Sequence, residues 1–205
     1  MANKIVLLCS GGFDSVVLAN YVRDWKGDKA KIHTLFFDYG QKSCKMEREC
    51  AIKVSEKIRA EFKEIKLPKF EWTKSDFYSP EYSGEDKEYL EMRNLVFISY
   101  ALSYAESIGA KKIYMALLKH IVPYFDGSKH FIKTLNELVK EKGIKISAPF
   151  LKFYKYGLVD LISAYGITED DFFTCDNPVN SKPCGKCPDC VDLKEIFKIS
   201  RNKTT

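Results

Sequence analysis

A short glycine-containing segment near the N-terminus has residue types that hold phosphate. It reads Ser10-Gly11-Gly12-Phe13-Asp14-Ser15 and lies where an apolar strand pattern gives way to a helical one. Paired glycines at such a junction let backbone N–H groups approach phosphate oxygens at the positive end of the helix. The segment lacks the lysine of the common NTPase loop and the Gly-x-Gly-x-x-Gly spacing of dinucleotide folds. We therefore predict a different grip on the pyrophosphate end of ATP by residues 10–15; a plain glycine-rich turn is the alternative.

Within this segment, the serine and aspartate side chains predict different roles. The Ser10 and Ser15 hydroxyls can donate hydrogen bonds to phosphate. The Asp14 carboxylate can orient the loop or hold Mg²⁺ through water, and we assign it a catalytic role.

Four of the seven cysteines form a second chemical motif near the C-terminus, at Cys175, Cys184, Cys187 and Cys190. Four thiolates with no open position suit one structural tetrahedral Zn²⁺ per chain. An iron–sulfur cluster, disulfides or free thiols are the alternatives. All three histidines lie elsewhere in the sequence, which disfavours a catalytic zinc. We expect the metal to fix the C-terminal segment, including a helix over residues 193–200, against the sheet.

Bulk composition limits the class of protein. With 205 residues and 45% hydrophobic composition, the chain can bury one substantial core. A net charge of +5 without a basic stripe fits solubility or a phosphorylated substrate better than nucleic-acid binding. No apolar run approaches the ~18 residues of a membrane span, and the N-terminus lacks a signal-peptide pattern. We therefore expect a cytoplasmic protein that does not enter a membrane.

The elements that position these motifs follow an alternating strand and helix pattern. Such alternation predicts an α/β fold, a Rossmann-like parallel sheet of about five strands with helices on both faces. The predicted strands are residues 4–10, 31–38, 62–67, 112–117 and 144–147. The predicted helices are residues 15–26, 42–60, 94–108, 129–141 and 155–165. Residues 68–88 have neither period and predict a long loop that covers the site.

The hexapeptide resembles the signature of the PP-loop ATP pyrophosphatase superfamily. This resemblance implies an adenine nucleotide α-hydrolase-like fold and cleavage of ATP to AMP and pyrophosphate, with activation of a substrate as its adenylate. We expect an ATP-binding domain over residues 1–170 and a zinc-binding segment over residues 171–205 that packs on it.

Within that superfamily, the chain resembles the 7-cyano-7-deazaguanine synthase (QueC) family over nearly its whole length. The matching motifs are the phosphate loop, the Phe-Asp-Tyr-Gly-Gln stretch at residues 37–41, the pair Arg93-Asn94, Pro149 with Lys155, and the four cysteines. The resemblance implies ATP-dependent conversion of 7-carboxy-7-deazaguanine, with ammonia, to the nitrile through an amide. It also implies Mg²⁺ with the ATP and a homodimer.

The resemblance implies further site residues, each with a simpler alternative. Asp38 and Gln41 would bind ATP, or cap the turn and the helix that follow. Arg93 and Lys155 would stabilise negative charge during catalysis, and Arg93 with Asn94 would bind substrate. Alternatively, Arg93 and Asn94 only start a helix, and Lys155 is a surface lysine.

One segment departs from the family pattern. The family usually has Ser-Gly-Tyr-Pro-Asp-Cys-Arg where this chain has residues 122–128, so that only Tyr124 and Asp126 match. A ring for stacking and a carboxylate for a guanine-like N–H edge still favour a deazapurine substrate. We expect the neighbouring His120 and His130 to be solvated loop histidines; a catalytic base is the alternative.

The departure leaves other functions open. One is a QueC-like antiviral-defence enzyme that joins an activated deazaguanine to a protein or another partner. A second is a PP-loop tRNA-modifying enzyme, although Cys44 and Cys50 lie on a charged predicted helix, where a structural role fits better than a catalytic one. A third is a cysteine knuckle that binds nucleic acid, with no accompanying basic and aromatic surface to favour it.

Overall fold

The structure, a computed structural model, describes residues 3–73, 90–119 and 124–203. Five parallel strands form one sheet in the order β3-β2-β1-β4-β5. They are β1 (Asn3–Leu8), β2 (Ala30–Asp38), β3 (Glu61–Lys66), β4 (Lys112–Tyr114) and β5 (Lys145–Ser147). The predicted α/β fold with a five-stranded parallel sheet is therefore confirmed.

Six α-helices accompany the sheet in the described ranges. They are α1 (Phe13–Lys26), α2 (Cys44–Lys57), α3 (Arg93–Ile108), α4 (Lys129–Leu138), α5 (Val159–Tyr165) and α6 (Pro188–Lys203). Short 3-10 turns lie at Phe125–Gly127, Lys140–Lys142 and Lys155–Leu158. The helix predicted over residues 155–165 thus begins with a 3-10 turn before it continues as α5. None of the helices in the described ranges has the length and hydropathy that a membrane span requires.

Both faces of the sheet are buried, as parallel sheets require. Successive residues of β1 point to opposite faces, so that Ile5 and Leu7 join one core cluster while Val6 and Leu8 join the other. The first cluster packs against α1, α2, α5 and α6, and the second against α3 and α4. The continuous apolar run in β1 is the sequence signal of this two-sided burial.

The C-terminal helix shares the core of the main sheet. Ile196 and Phe197 of α6 belong to the same cluster as α1. The boundary at residue 170 stays a prediction. Residues 74–89, most of the predicted loop, and His120 lie outside the described residues.

Candidate active site and metal centre

The predicted phosphate loop lies at the carboxyl end of β1, between β1 and α1. The neighbours of β1 are β2 on one side and β4 on the other, so the chain order reverses direction at this strand. In open parallel sheets, ligands bind in the crevice beyond the carboxyl ends of the strands at such a point. The topology therefore places residues 10–15 where a nucleotide site is expected.

Gly11 lets the loop pass against α2. Its φ is +77°, and a Cβ atom built on it would lie 2.0 Å from the backbone oxygen of Glu47. A side chain is thus excluded both by backbone conformation and by space. Gly12 differs, because its φ of −74° is ordinary and an added Cβ would only crowd the hydroxyls of Ser10 and Thr174.

The two serines of the loop face each other. Ser10 Oγ donates to Ser15 Oγ at 3.2 Å, and Ser15 Oγ donates to the Gly12 carbonyl at 2.9 Å. The Gly12 N–H donates to Ser10 Oγ at 3.2 Å. These bonds fix the loop and place both hydroxyls beside the first turn of α1, whose N–H groups have no intrahelical acceptor.

Asp14 presents a buried carboxylate to this site. Its Oδ1 atom is buried and accepts no hydrogen bond within the described part of the chain. Burial raises the pKa of Asp14 to about 6, while the positive charge of Lys155 opposes the rise. A buried carboxylate oxygen without a donor is costly unless a ligand supplies one, so Asp14 is a good candidate to meet a cation or a proton donor.

The C-terminal segment forms one wall of the loop, which the sequence did not indicate. The Phe13 N–H donates to Thr174 Oγ1 at 2.8 Å, and the Phe173 N–H donates to the Gly11 carbonyl at 3.0 Å. The Thr174 hydroxyl therefore accepts a hydrogen bond from one of the N–H groups at the start of α1. Thr174 precedes Cys175 in the sequence, but the cysteine motif points to a metal and gave no sign that its neighbour contacts the phosphate loop.

A cavity of about 270 Å³ opens beside the loop. Its walls come from the loop, from the ends of β1, β2 and β4, from the start of α3 and from the C-terminal segment. The predicted site residues that line it are Ser10, Gly12, Phe13, Asp14, Ser15, Gln41, Arg93, Asn94 and Cys175. Glu47, Thr174, Asp176 and Asp189 also line it and were not predicted.

Lys155 lies next to this cavity and pairs with an acidic residue of α6. Its ammonium group forms a short ion pair with Asp189 Oδ1, and Asp192 Oδ2 is 3.9 Å away. Burial lowers the pKa of Lys155, but the charges of Asp189 and Asp14 outweigh burial and raise it. The side chain of Lys155 is therefore largely buried and paired rather than solvated, and its role in catalysis stays a prediction.

Asp38 and Gln41 brace the turn after β2. Asp38 accepts from the Gly40 N–H at 3.1 Å and pairs with Arg48 at 2.8 Å. Gln41 is buried; its Nε2 donates to the Phe37 carbonyl at 3.2 Å and to Glu47 at 2.9 Å. These contacts fit the capping alternatives, although Gln41 also faces the cavity. Direct contact of either residue with ATP stays a prediction.

Arg93 and Asn94 start α3 at the edge of the cavity. Met92, immediately before them, has φ of +51°, an uncommon conformation for a residue with a side chain that sets the direction of the helix start. Arg93 Nη1 donates to the Tyr39 hydroxyl at 3.3 Å. The Asn94 N–H donates to Asp126 Oδ2 at 3.0 Å.

Asp126 caps the start of α3, where its carboxylate accepts the hydrogen bond from the Asn94 N–H. It is 3% exposed, and its carbonyl also accepts from Asn94 Nδ2 at 3.1 Å. Tyr124 is 41% exposed, and neither Tyr124 nor Asp126 is among the described residues that line the cavity. Their contact with substrate stays a prediction. His130 is exposed, as expected for a solvated histidine, but it lies in the first turn of α4 and not in a loop, so that part of the prediction is wrong.

The four predicted metal ligands converge. Their Sγ atoms all lie within 4.8 Å of one another. Four sulfurs at ~2.3 Å from one tetrahedral ion would be about 3.8 Å apart, so the cluster needs only a small contraction to hold one. The Cys184 N–H donates to Cys175 Sγ at 3.2 Å, and the Cys187 N–H donates to Cys184 Sγ at 3.3 Å.

The electrostatics of the cluster favour a bound cation. Burial raises the pKa of Cys175 to about 11, whereas backbone N–H groups of Lys186 and Cys187 overcome the effect of burial and lower the pKa of Cys184 to about 6. Packed thiols repel one another when ionised, and a metal ion removes this cost. The donor set therefore fits a metal ion that thiolates bind.

Comparison with solved structures supports the architecture. The structure of the U34-tRNA thiolase NcsA from Methanococcus maripaludis with its [4Fe-4S] cluster has a TM-score of 0.59 and 13% identity, over 98% of this chain and 67% of that chain. A 4-thiouridine synthetase in complex with RNA and ATP has a TM-score of 0.55 and 17% identity, over 98% of this chain and 51% of that one. Likeness at this level of identity shows the fold alone.

Comparison with known sequences identifies the family. A 7-cyano-7-deazaguanine synthase from Methanobrevibacter smithii is 30% identical over 225 residues, covering 98% of this chain and 95% of the relative. Another from Leptospira interrogans serogroup Icterohaemorrhagiae serovar copenhageni is 33% identical over 215 residues, covering 96% of this chain and 87% of the relative. The family model described as queuosine biosynthesis protein QueC matches residues 4–200. The chain belongs to the QueC family.

Proposed function

We propose that the protein is an ATP-dependent ligase that converts 7-carboxy-7-deazaguanine and ammonia to 7-cyano-7-deazaguanine, releasing AMP and pyrophosphate. The observation that carries this proposal is the phosphate loop at the carboxyl end of β1, open to a cavity with a buried carboxylate, in a chain of this family. The named relatives are synthases, which favours this activity over conjugation to a protein.

The chemistry requires two activations of the same carbon. First, the substrate carboxylate attacks the α-phosphorus of ATP and pyrophosphate leaves. Ammonia then displaces AMP from the acyl-adenylate to give the amide. The amide oxygen then attacks the α-phosphorus of a second ATP, a second pyrophosphate leaves and the amide nitrogen loses a proton. The resulting adduct breaks its C–O bond, and AMP and the remaining N–H proton leave to form the nitrile.

The residues around the cavity fit the charges of these steps. The N–H groups at the start of α1 and the hydroxyls of Ser10 and Ser15 would hold the leaving pyrophosphate. Arg93 and Lys155 would stabilise charge that develops on the transferred phosphorus. Asp14 would hold Mg²⁺ through water, and this ion would neutralise the phosphates. The remaining predicted contacts, those of Asp38, Gln41, Asn94, Tyr124 and Asp126, belong to the same proposal.

The metal, the location and the assembly complete the proposal. We assign one structural Zn²⁺ per chain to the four cysteines, because all four donors are thiolates and none is left for an open position. We place the enzyme in the cytoplasm, where ATP and reduced thiols coexist. A homodimer, expected from the family resemblance, is checked by light scattering of the purified protein.

The experiment incubates purified protein with ATP, Mg²⁺, ammonium and 7-carboxy-7-deazaguanine labelled with ¹⁸O in its carboxylate. Mass spectrometry is expected to find the nitrile, two AMP and two pyrophosphate per nitrile, and ¹⁸O in both AMP products. The label enters AMP because each carboxylate oxygen departs bound to phosphorus. Asp14→Ala is the inactive control.

Three results would contradict the proposal in distinguishable ways. Formation of ADP and phosphate would exclude adenylation. An amide product that accumulates until a protein from a neighbouring gene is added would favour the conjugation reaction instead. Consumption of ATP with a tRNA but not with the deazaguanine would favour tRNA modification.

A further inference from the structure

We infer that Asp189 is a positioning residue for the adenylation step, because its carboxylate holds the Lys155 ammonium beside the phosphate loop. This inference rests on the proposed function, in which Lys155 stabilises charge on the transferred phosphorus. Neither the motifs in the sequence nor the known relatives' names point to Asp189.

The first observation is the geometry of the pair. Lys155 Nζ forms a short contact with Asp189 Oδ1, while Asp192, one turn further along α6, is 3.9 Å away. The side chain of Lys155 is 16% exposed, that of Asp189 32% and that of Asp192 45%. A lysine so far removed from water depends on its partner, and the nearer and more buried carboxylate is the stronger one.

The second observation is where the pair lies. Asp189 lines the same cavity as Asp14 and Ser10, and the charges of both Asp189 and Asp14 act on Lys155. The ammonium group is therefore paired with the α6 carboxylate and lies close enough to the loop carboxylate to feel its charge. A lysine has a long flexible stem, and a fixed carboxylate selects the one arrangement in which its charge faces the phosphates.

The third observation is how Asp189 is itself held. It lies in the first turn of α6, two positions after Cys187 and immediately before Cys190. Both cysteines belong to the converging thiol cluster, so a metal ion bound there would hold the backbone at residue 189 from either side. An acidic residue in the first turn also interacts favourably with the helix dipole. The thiol cluster thus connects to the phosphate loop through the pair of Asp189 and Lys155.

This arrangement gives the cysteine segment a role in catalysis beyond support of the fold. The carboxylate of Asp189 does not contact the reacting atoms in this proposal; it fixes a cation that does. Loss of the carboxylate should therefore lower kcat, because the charge is misplaced in the transition state. The KM for ATP should change much less, since most phosphate contacts come from the loop.

The experiment is a double-mutant cycle with Asp189→Asn and Lys155→Met. Each single variant is expected to lower kcat for AMP formation on the order of tenfold to a hundredfold, as misplacement of a charged group does. The KM for ATP is expected to stay within about threefold. The double variant is expected to lose no more than the worse single variant, because both act through one ammonium group.

Controls separate positioning from damage to the fold. Asp192→Asn removes a more exposed carboxylate on the same helix face and is expected to keep kcat within about twofold. Asp189→Glu retains the charge and is expected to recover part of the lost kcat. Metal content and melting temperature are measured for every variant. The metal content is expected to match that of the wild-type protein, and kcat is compared at a temperature at which every variant is folded, because loss of one member of the pair lowers stability.

Several outcomes would overturn the inference. A kcat for Asp189→Asn equal to that of Asp192→Asn, or losses that multiply in the double variant, would show that Asp189 does not act through Lys155. If Asp189→Asn does not fold, Asp189→Ser takes its place; failure of both neutral variants to fold, or loss of metal from them, would show a structural role instead. If the wild-type protein forms no AMP at all, the proposed function fails, which is a different result.

Discussion

At the scale of single residues, the site is defined by groups whose partners are incomplete or come from far along the chain. Asp14 Oδ1 is buried without a hydrogen bond within the described residues, and Phe13 N–H meets the hydroxyl of Thr174, 161 positions away. Each of these two features makes a separate prediction.

Asp14 makes the ligand-free protein less stable as pH rises. Because burial raises the pKa of Asp14 from 3.8 to about 6, the native state binds the proton more tightly than the unfolded chain. Stability from this group is therefore present below about pH 4 and lost as pH rises through 6. Asp14→Asn should match the wild-type free energy of unfolding at pH 4 and exceed it by up to about 3 kcal/mol at pH 7.5.

The measurement is urea unfolding of ligand-free, metal-loaded protein without Mg²⁺ at both pH values. The same variant should lose AMP formation by more than about a hundredfold if Asp14 is catalytic. A difference in stability between the two proteins that does not change with pH would show that burial does not raise the pKa of the Asp14 carboxyl group.

Thr174 stabilises the phosphate loop through its hydroxyl. Thr174→Val keeps the shape of the side chain but leaves the Phe13 N–H without its acceptor, which should lower the free energy of unfolding by about 1–2 kcal/mol. Thr174→Ser retains the hydroxyl and should stay close to wild-type. Chemical denaturation of the three proteins at equal metal content checks this; equal stabilities would refute it.

At the scale of elements, the close approach of the phosphate loop to α2 decides which residue can occupy position 11. Gly11→Ala would place a methyl group 2.0 Å from the Glu47 carbonyl oxygen, and the loop or the helix would have to move. We expect a loss of more than about 3 kcal/mol in the free energy of unfolding.

Gly109, at the end of α3, provides a matched control. Its φ is +71°, close to that of Gly11, but nothing lies within 4 Å of an added Cβ. Gly109→Ala therefore carries the backbone strain alone, about 1 kcal/mol. If the two alanine variants unfold at the same denaturant concentration, the contact between the loop and α2 is not the cause.

At the scale of the whole molecule, the cysteine cluster lies on the same C-terminal segment that forms one wall of the cavity beside the phosphate loop. Phe173, Thr174, Cys175 and Asp189 all line the cavity, and the thiols of the same segment converge behind them. Disruption of the cluster should therefore affect both folding and ATP binding.

We therefore expect removal of the metal to destabilise the protein and to weaken ATP binding. Elemental analysis should find about one zinc per chain, and Cys187→Ser or a strong chelator should lower the melting temperature and abolish ATP-dependent stabilisation. Cys44→Ser, which changes a thiol outside the cluster, should keep the metal. Iron with visible absorption would contradict zinc, and full ATP binding without metal would contradict the link between the sites.

Local sequence patterns predicted much of this arrangement. Parallel strands that are buried on both faces need continuous apolar runs, and such runs at β1 and β2 made these strands recognisable. Each observed strand begins and ends within three residues of its predicted bounds. The phosphate loop and the cysteine spacing were recognisable because each needs only near neighbours in the chain. β4 ends at Tyr114 rather than at the predicted residue 117, and Met115, Ala116 and Leu117, which follow it, line the cavity.

The sequence by itself therefore determined the order of the elements, the glycine loop after β1, the spacing of the four cysteines and the family. Only the tertiary structure decided that Asp38 pairs with Arg48, that Asp126 caps α3, and that Thr174 and Asp189 line the cavity beside the loop. The physical reason is distance along the chain. Helix periods, glycine turns and ligand spacing are set by residues a few positions apart. The contacts of Asp38 and Asp126 join separate elements, and those of Thr174 and Asp189 exist only after α6 and the segment before it have packed against the start of the chain.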